Sequence, residues 1–213
     1  MKKIIFTFSL LLSIIYIQAQ DIKSIIATVP DHIIFGLEAS QKDLLLANPG
    51  IDTVVVISTG LYEGMKRTSL TDDYLCIETS KTNSVQIKLL PLINDSKIIC
   101  VAYTASGQFS DSKTEFYTTN WQQINTPDLF PAKNYEWFIK PGTDKSSNAY
   151  KNAIAALDMN PMKIILSGDK DEAFVYSEIE KYLSENDYKM LKPFLIDENH
   201  KTLEWDKIRF NLR

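Results

Sequence analysis

Residues 70–121 read LTDDYLCIETSKTNSVQIKLLPLINDSKIICVAYTASGQFSDSKTEFYTTNW, and the pattern of this stretch decides the fold. Short polar turns divide it into four runs of residues that are typical of β-strands. These runs cover residues 73–79, 84–92, 97–104 and 113–120. Because each run follows the previous one after only a few residues, we expect sequence neighbours to pair, which gives an antiparallel meander.

In the second run, residues 84–92, apolar and polar side chains alternate, as in a strand whose two faces meet different environments. Its apolar side chains, such as Ile87, point to one face, and the polar side chains of Gln86 and Lys88 point to the other. An antiparallel sheet with one solvated face produces this pattern. We therefore expect Gln86 and Lys88 to face solvent.

The rest of the chain mixes helical and extended patterns. Before the central stretch, the sequence predicts helices at residues 21–29 and 38–47, with Asp21 as an N-cap, a strand at 52–58 and an irregular segment at 60–69. After it, the sequence predicts a crossing segment at 122–147, helices at 148–157 and 184–195, strands at 162–167 and 172–177, and a hairpin of residues 202–205 and 208–212. The predicted fold class is α+β, with an N-terminal helix pair, an antiparallel β-meander, and a second, smaller α/β-mixed antiparallel half packed on it.

The N-terminus has the pattern of a secretory signal peptide. Lys2 and Lys3 precede an apolar run at residues 4–17, and the small residue Ala19 suits the position before a cleavage site. The apolar run is shorter than the roughly 20 residues that span a membrane. We therefore predict a signal peptide at 1–19, two units at 20–125 and 126–213 packed as one compact body, and a periplasmic or secreted location with no membrane span after cleavage.

The composition excludes several classes of partner. The 213-residue chain has a formal net charge of −4, and loss of Lys2 and Lys3 leaves 21 basic against 27 acidic residues, a net charge of −6. Nucleic acids and anionic membranes are bound by basic patches, and the sequence has no cluster of Lys and Arg. It also has no Gly-rich phosphate-binding motif. We expect no nucleic-acid partner and no cofactor.

Candidate metal and catalytic sites are few. His32 and His200 are far apart in the sequence, and the two cysteines lack the spacing of a zinc site. Asp111 and Ser112 suggest a hydrolase, but an Asp-Ser pair at the start of a strand is more typical of a turn. We expect no metal site and no catalytic residue.

Cys76 and Cys100 fall on the first and third runs of the central stretch. An exported chain with two cysteines suggests one disulfide. In a meander, however, these two strands flank the second strand and lie about 9.6 Å apart, whereas a disulfide needs Cα atoms within roughly 7 Å. We expect both thiols to be free.

The residues most able to bind a ligand are polar or aromatic side chains near strand ends. The candidates are Asp73, Tyr74, Asp111, Tyr117, Trp121 and Trp137. The tryptophans and Tyr117, together with Tyr135, could form a stacking platform for a sugar or a peptide. The alternative is that these large aromatic side chains seal the core.

Several segments carry a resemblance to a known family. They are LTDDYL at 70–75, IKLLPL at 87–92, KIIC at 97–100, DS at 111–112, FYTTNW at 116–121, KPFL at 192–195, and the Trp, Arg and Phe at 205, 209 and 210. In the same order, these segments resemble an uncharacterised family of exported Bacteroidetes proteins, a domain of unknown function. The resemblance implies a bacterial envelope or secreted context and implies no activity, cofactor or catalytic residue.

Together, these patterns favour a non-catalytic binding or interaction module of the cell envelope over an enzyme. Its partner would be a protein or a glycan, recognised by a sheet face or an edge strand. The alternative is a hydrolase that acts on envelope or host polymers. The sequence leaves the oligomeric state and the identity of the partner open.

Overall fold

A computed structural model of the chain describes residues 21–47, 55–59 and 62–213. In these ranges the α-helices are α1 (Ile22–Ala27), α2 (Ala39–Leu46), α3 (Asn148–Ile154), α4 (Ile179–Tyr182) and α5 (Glu185–Leu191). Short 3-10 helices cover Pro127–Leu129, Tyr135–Phe138 and Lys192–Phe194. The strands are β1 (Val55–Thr59), β2 (Tyr62–Leu70), β3 (Tyr74–Glu78), β4 (Asn83–Pro91), β5 (Lys97–Ser106), β6 (Ser110–Thr118), β7 (Met162–Leu166), β8 (Glu172–Ser177), β9 (His200–Trp205) and β10 (Phe210–Leu212).

The strands form two antiparallel sheets. The first sheet is a meander in the order β1-β2-β3-β4-β5-β6, and the second sheet has the order β10-β9-β8-β7. Each pairing joins strands that are neighbours in the sequence. The predicted α+β class, with its helix pair, meander and second antiparallel half, is confirmed.

Local hydrogen bonds explain where the N-terminal helices begin and how they are held together. Asp21 caps α1, because its Oδ1 accepts a hydrogen bond from the backbone N–H of Ser24 at 2.9 Å. Lys42 on α2 donates from Nζ to the backbone oxygen of Val29 at 2.9 Å. This bond ties α2 to the segment that follows α1.

The prediction of an irregular segment at residues 60–69 is wrong, because β2 covers Tyr62–Leu70. The register of β2 against β3 shifts at Thr68, so Met65 and Arg67 face the same side as Leu70 despite the odd spacing. One extra residue in a strand produces such a bulge. The bulge breaks the period-two pattern, and the buried position at Arg67 is charged, which together hide the strand in the sequence.

The helices cover one face of the first sheet. Apolar side chains from α1, α2 and the segment between them meet those from β2 to β6 in a first core cluster. Its members are Ile22, Ile25, Ile26, Val29, Ile33, Ile34, Leu37, Leu45, Met65, Leu70, Leu75, Ile77, Val85, Ile87, Leu89, Ile99, Val101, Tyr117 and Trp121. The burial of this much apolar surface holds the helix pair against the sheet.

The other face of the first sheet packs on the second sheet. A second core cluster lies between the sheets and includes Leu90 and Cys100 from the first sheet and Ile164 and Val175 from the second. The expectation that one face is solvated is therefore wrong. Gln86 is only 4% exposed and Lys88 only 2% exposed, because the second sheet covers them.

A third, smaller cluster joins the helices of the second half. Ala153 from α3, Ile179 from α4 and Leu191 from α5 are buried together beside the second sheet. Ser147 and Ser184 cap α3 and α5, since each side chain accepts a hydrogen bond from a backbone N–H three residues on.

Some predictions concern residues outside the described ranges. The signal peptide at 1–19 lies outside them, as do residues 52–54 of the predicted first strand. The division of the chain between residues 125 and 126 stays a prediction. Within the described ranges, no helix has the length and apolar character needed to cross a membrane.

Candidate functional site

Asp111 and Ser112, the pair that suggested a hydrolase, hold the edge strand of the second sheet. Asp111 Oδ1 accepts a hydrogen bond from the backbone N–H of Met162 at 3.0 Å, and Ser112 Oγ accepts one from Ile164 at 2.9 Å. Lys133 Nζ also donates to Asp111 Oδ1. The two side chains satisfy backbone groups on the edge of β7 that pairs with no other strand of the described residues.

Gln86 continues this arrangement along β7. Its Nε2 donates to the backbone oxygen of Ile164 at 2.9 Å, and its Oε1 accepts from the backbone N–H of Leu166 at 2.8 Å. The hydroxyl of Tyr74 donates to the same Oε1 at 3.0 Å. We call Gln86, Asp111 and Ser112 the polar seam, because their side chains bond the first sheet to the backbone of β7.

Neither histidine lies where it could complete a Ser-His-Asp arrangement around Ser112. Ser112 lies between the sheets, and its Oγ also bonds to Thr104 Oγ1 at 2.8 Å. His32 lies beside Tyr117 on the opposite face of the first sheet, and His200 lies on the outer face of the second. Among the residues that the structure describes, no group of three His, Cys, Asp or Glu could hold a metal ion.

Asp73 belongs to a charged cluster where β3 and β4 meet the second sheet. Lys88 Nζ lies 2.8 Å from Asp73 Oδ2, and Thr71 Oγ1 donates to Asp73 Oδ1 at 2.9 Å. Asp171, which precedes β8, completes what we call the Lys88 cluster. Burial raises the pKa of the Asp171 carboxyl; the charge of Lys88 opposes this and the charge of Asp73 adds to it.

The proposed aromatic platform is divided between separate clusters. Tyr117 and Trp121 are buried in the first core cluster with their ring centroids 5.8 Å apart, and Trp121 Nε1 donates to the backbone oxygen of Ile25. Trp137 packs against the second cluster and Tyr135 against the third. This arrangement supports the alternative that these side chains seal the core.

The outer face of the second sheet carries an apolar and aromatic surface that the sequence analysis did not single out. The strand register places Ile165 beside Phe174 and Phe174 beside Thr202, and it places Tyr176 beside His200. The rings of Tyr176 and His200 stack with centroids 5.1 Å apart at 28°. We call these five residues the open face.

The open face differs from the other three sheet faces in its packing. None of the three clusters formed by the described residues includes Ile165, Phe174 or Tyr176. The sequence contained a signal, since Ala173 and Val175 alternate with Phe174 and Tyr176. Both sets are apolar, however, so alternation alone does not say which set faces outward.

A groove of about 280 Å³ borders the open face. Lys163, Ile165 and Tyr176 form its sheet side, and Glu178 and Lys181 form the opposite side. Glu178 is not available to a ligand, because its carboxylate accepts from the backbone N–H of Ser110 at 3.0 Å and pairs with Lys181. The groove therefore contributes charged residues at the border of the apolar open face.

Cys76 and Cys100 lie on β3 and β5, which flank β4, and they carry free thiols. Their register partners on β4 are Gln86 and Lys88, respectively. Cys100 is fully buried in the second cluster, and burial raises the pKa of its thiol. Cys76 is half-buried.

We predict that the unreduced protein contains two titratable thiols in denaturant. In the folded protein, only Cys76 should react readily with Ellman's reagent, because the thiolate is the reactive form and burial disfavours it at Cys100. The measurement is a thiol titration with and without denaturant, in the absence of reductant. A count of zero thiols in the denatured, unreduced protein would show a disulfide and contradict the meander.

These features define a class: a two-sheet α+β domain in which side chains of the first sheet bond to the edge strand of the second. The chain belongs to a family of proteins of unknown function (DUF3256), whose model matches residues 14–210. The predicted resemblance to a domain of unknown function is thereby confirmed. Among curated proteins, no match was found.

The fold is shared with a solved structure of a domain of an uncharacterized protein from Porphyromonas gingivalis W83. The two chains are 23% identical with a TM-score of 0.80, and the match covers 90% of this chain and 96% of that chain. At this identity the likeness shows the fold.

Proposed function

We propose that the protein is a non-catalytic binding module of the bacterial cell envelope, which recognises a partner protein through the open face. The observation that carries the proposal is the contrast between sheet faces. The helix pair covers one face of the first sheet, and the two sheets cover each other. The open face presents Phe174 and Tyr176 outside all three clusters of the described residues.

The chemistry of the open face favours a protein over a glycan as the partner. Its centre is the pair of Ile165 and Phe174, which offers apolar contact and no hydrogen bond. Charged residues surround this centre, with Lys163 on one side and Glu204 on another. An apolar, aromatic centre with a polar rim is the usual anatomy of a protein interface.

The residues that suggested an enzyme have structural roles. Asp111 and Ser112 satisfy the edge of β7, and both histidines lie in other layers than Ser112. This supports a non-catalytic protein, and no observation among the described residues favours the hydrolase alternative. The envelope location rests on the predicted signal peptide and on the resemblance to exported proteins.

We predict that Phe174→Glu weakens partner binding by about 30-fold, the effect of losing an interface hot spot. A charged side chain at the centre of the open face opposes desolvation of the interface. The partner is first captured from envelope extract of the source bacterium with the wild-type protein, and its affinity is then measured by calorimetry with each purified variant.

The matched control is Leu44→Glu, which places the same charge at an exposed apolar residue on α2, away from the open face. It should bind as tightly as the wild type. Equal binding by Phe174→Glu and the wild type would contradict the proposal, as would recovery of no partner at native abundance.

A further inference from the structure

Lys88 is enclosed in a way that is rare for a lysine. Its side chain is 2% exposed and lies between the two sheets, and its Nζ is fully buried. The ammonium is 2.8 Å from Asp73 Oδ2, yet among the described residues no acceptor meets it at a good hydrogen-bond angle. A buried charge without well-formed hydrogen bonds carries a large desolvation cost.

Asp73 is fixed in front of this amine. The backbone N–H of Leu89 donates to the backbone oxygen of Asp73 at 2.8 Å, and the next residue, Tyr74, pairs with Lys88 across the strands. Thr71 Oγ1 donates a hydrogen bond to Oδ1 of the Asp73 carboxyl, and the other oxygen, Oδ2, faces Lys88. Such fixed proximity can replace an encounter in solution by an effective concentration of about 10⁵ M or more.

Asp171 provides a second carboxyl beside this pair. It belongs to the turn before β8, so it approaches from the second sheet, and its backbone oxygen accepts from the backbone N–H of Trp205 at 2.8 Å. Its charge interacts with those of both Lys88 and Asp73. A carboxyl in such a partly buried position can accept a proton and return it during a reaction.

We propose that Lys88 and Asp73 condense into an intramolecular amide that cross-links β4 to the residue before β3, with Asp171 as the proton carrier. A proton first passes from the ammonium to the carboxylate of Asp73, which gives an amine and a carboxylic acid. Lys88 Nζ then attacks Cγ of Asp73, and Asp171 takes a proton from the nitrogen.

The tetrahedral intermediate collapses when Asp171 returns this proton to Oδ2. The bond between Cγ and Oδ2 breaks, and the oxygen leaves as water with two of the three ammonium protons. The third proton stays on the amide nitrogen. The ammonium and the carboxylate are thereby converted into one neutral amide, and the reaction needs no oxidant or cofactor. Asp73 is 36% exposed, which gives the water a route to solvent.

The test is the intact mass of the purified wild-type protein. We expect a mass lower than that of the processed chain by one water molecule, and a tryptic digest in which the chain is uncut after Lys88 and the peptides containing residues 73 and 88 are joined. A wild-type mass equal to that of the uncondensed chain overturns the proposal, whatever the variants do.

Variants separate the cross-link from other losses of mass. Lys88→Met and Asp73→Ala should both show the full mass, and Asp171→Asn should show mainly uncondensed protein when freshly purified. A cyclic imide at Asp73 would also lose water, but it would persist in Lys88→Met and would contradict the cross-link.

The chain contains its own matched control. Lys113 Nζ and Glu115 Oε1 are also 2.8 Å apart, but the Lys113 side chain is 68% exposed. Proximity without burial should leave this pair uncondensed. A water loss that maps to residues 113 and 115, or to both pairs equally, would show that burial has no role and overturn the proposal.

Discussion

Replacement of Gln86 by Met is expected to lower the free energy of unfolding by about 3–5 kcal/mol. Methionine keeps the length of the side chain but cannot bond to the backbone of Ile164 and Leu166. Two backbone groups and the hydroxyl of Tyr74 then stay buried without their partner, and each such loss costs about 1–3 kcal/mol. Urea unfolding followed by tryptophan fluorescence measures the change.

The same substitution at Gln122 is the matched control, since its side chain is exposed. Gln122→Met should change the free energy of unfolding by no more than about 0.5 kcal/mol. If Gln86→Met were equally neutral, the second sheet would not depend on the polar seam.

Replacement of Arg67 by Met is expected to destabilise the protein by about 2–4 kcal/mol. Arg67 Nη1 donates to the backbone oxygen of Leu45 at 2.6 Å and to that of Ala47 at 2.5 Å. These are carbonyls at the C-terminal end of α2, where the helix itself offers no donor. The variant should therefore lose the contact between β2 and α2, which urea unfolding and the loss of helical circular dichroism would report.

Arg209 provides the comparison for Arg67, because it is exposed. Arg209→Met should leave stability within about 0.5 kcal/mol of the wild type. A loss of similar size in both variants would mean that net charge, and not the bond from β2 to α2, determines the effect.

The central strands could be predicted because their sequence is locally consistent. In β4 the alternation of apolar and polar side chains agrees with the turns on either side, and the observed strand differs from the prediction by one residue at each end. The same consistency identified β8, which was predicted at its observed bounds of 172–177. Local patterns therefore gave the class of fold and the pairing of neighbours.

The same patterns could not predict which part of the chain covers each face of a sheet. Alternation at Gln86 and Lys88 says that the two faces of β4 differ, but a polar residue can face either water or another backbone that needs partners. The second case applies here because β7, which follows β4 by more than 70 residues, lies over Gln86. Arg67 shows the same difficulty. A charged residue in a strand suggests a side chain exposed to solvent, whereas Arg67 is buried and donates to the C-terminal end of α2.

The open face and the Lys88 cluster could not be predicted from the sequence for a related reason. Phe174 and Tyr176 have the same apolar character as the core residues between them, so their outward position depends on which side of the second sheet meets the first. The Lys88 cluster joins residues from three separate segments, 71–73, 88 and 171. Long-range packing brings them together, and no local pattern encodes it.

The polar seam also has a consequence for the order of assembly. Its bonds join residues that are 51 to 80 positions apart, whereas the pairings within each sheet join strands that are neighbours in the sequence. Hairpins close quickly and long loops close slowly. We therefore expect the hairpins of both sheets to form first, and the bonds of the polar seam, which join the two sheets, to form later. A fragment starting at residue 126 would lack the first sheet, and the uncovered edge of β7 would be open to pairing with another copy.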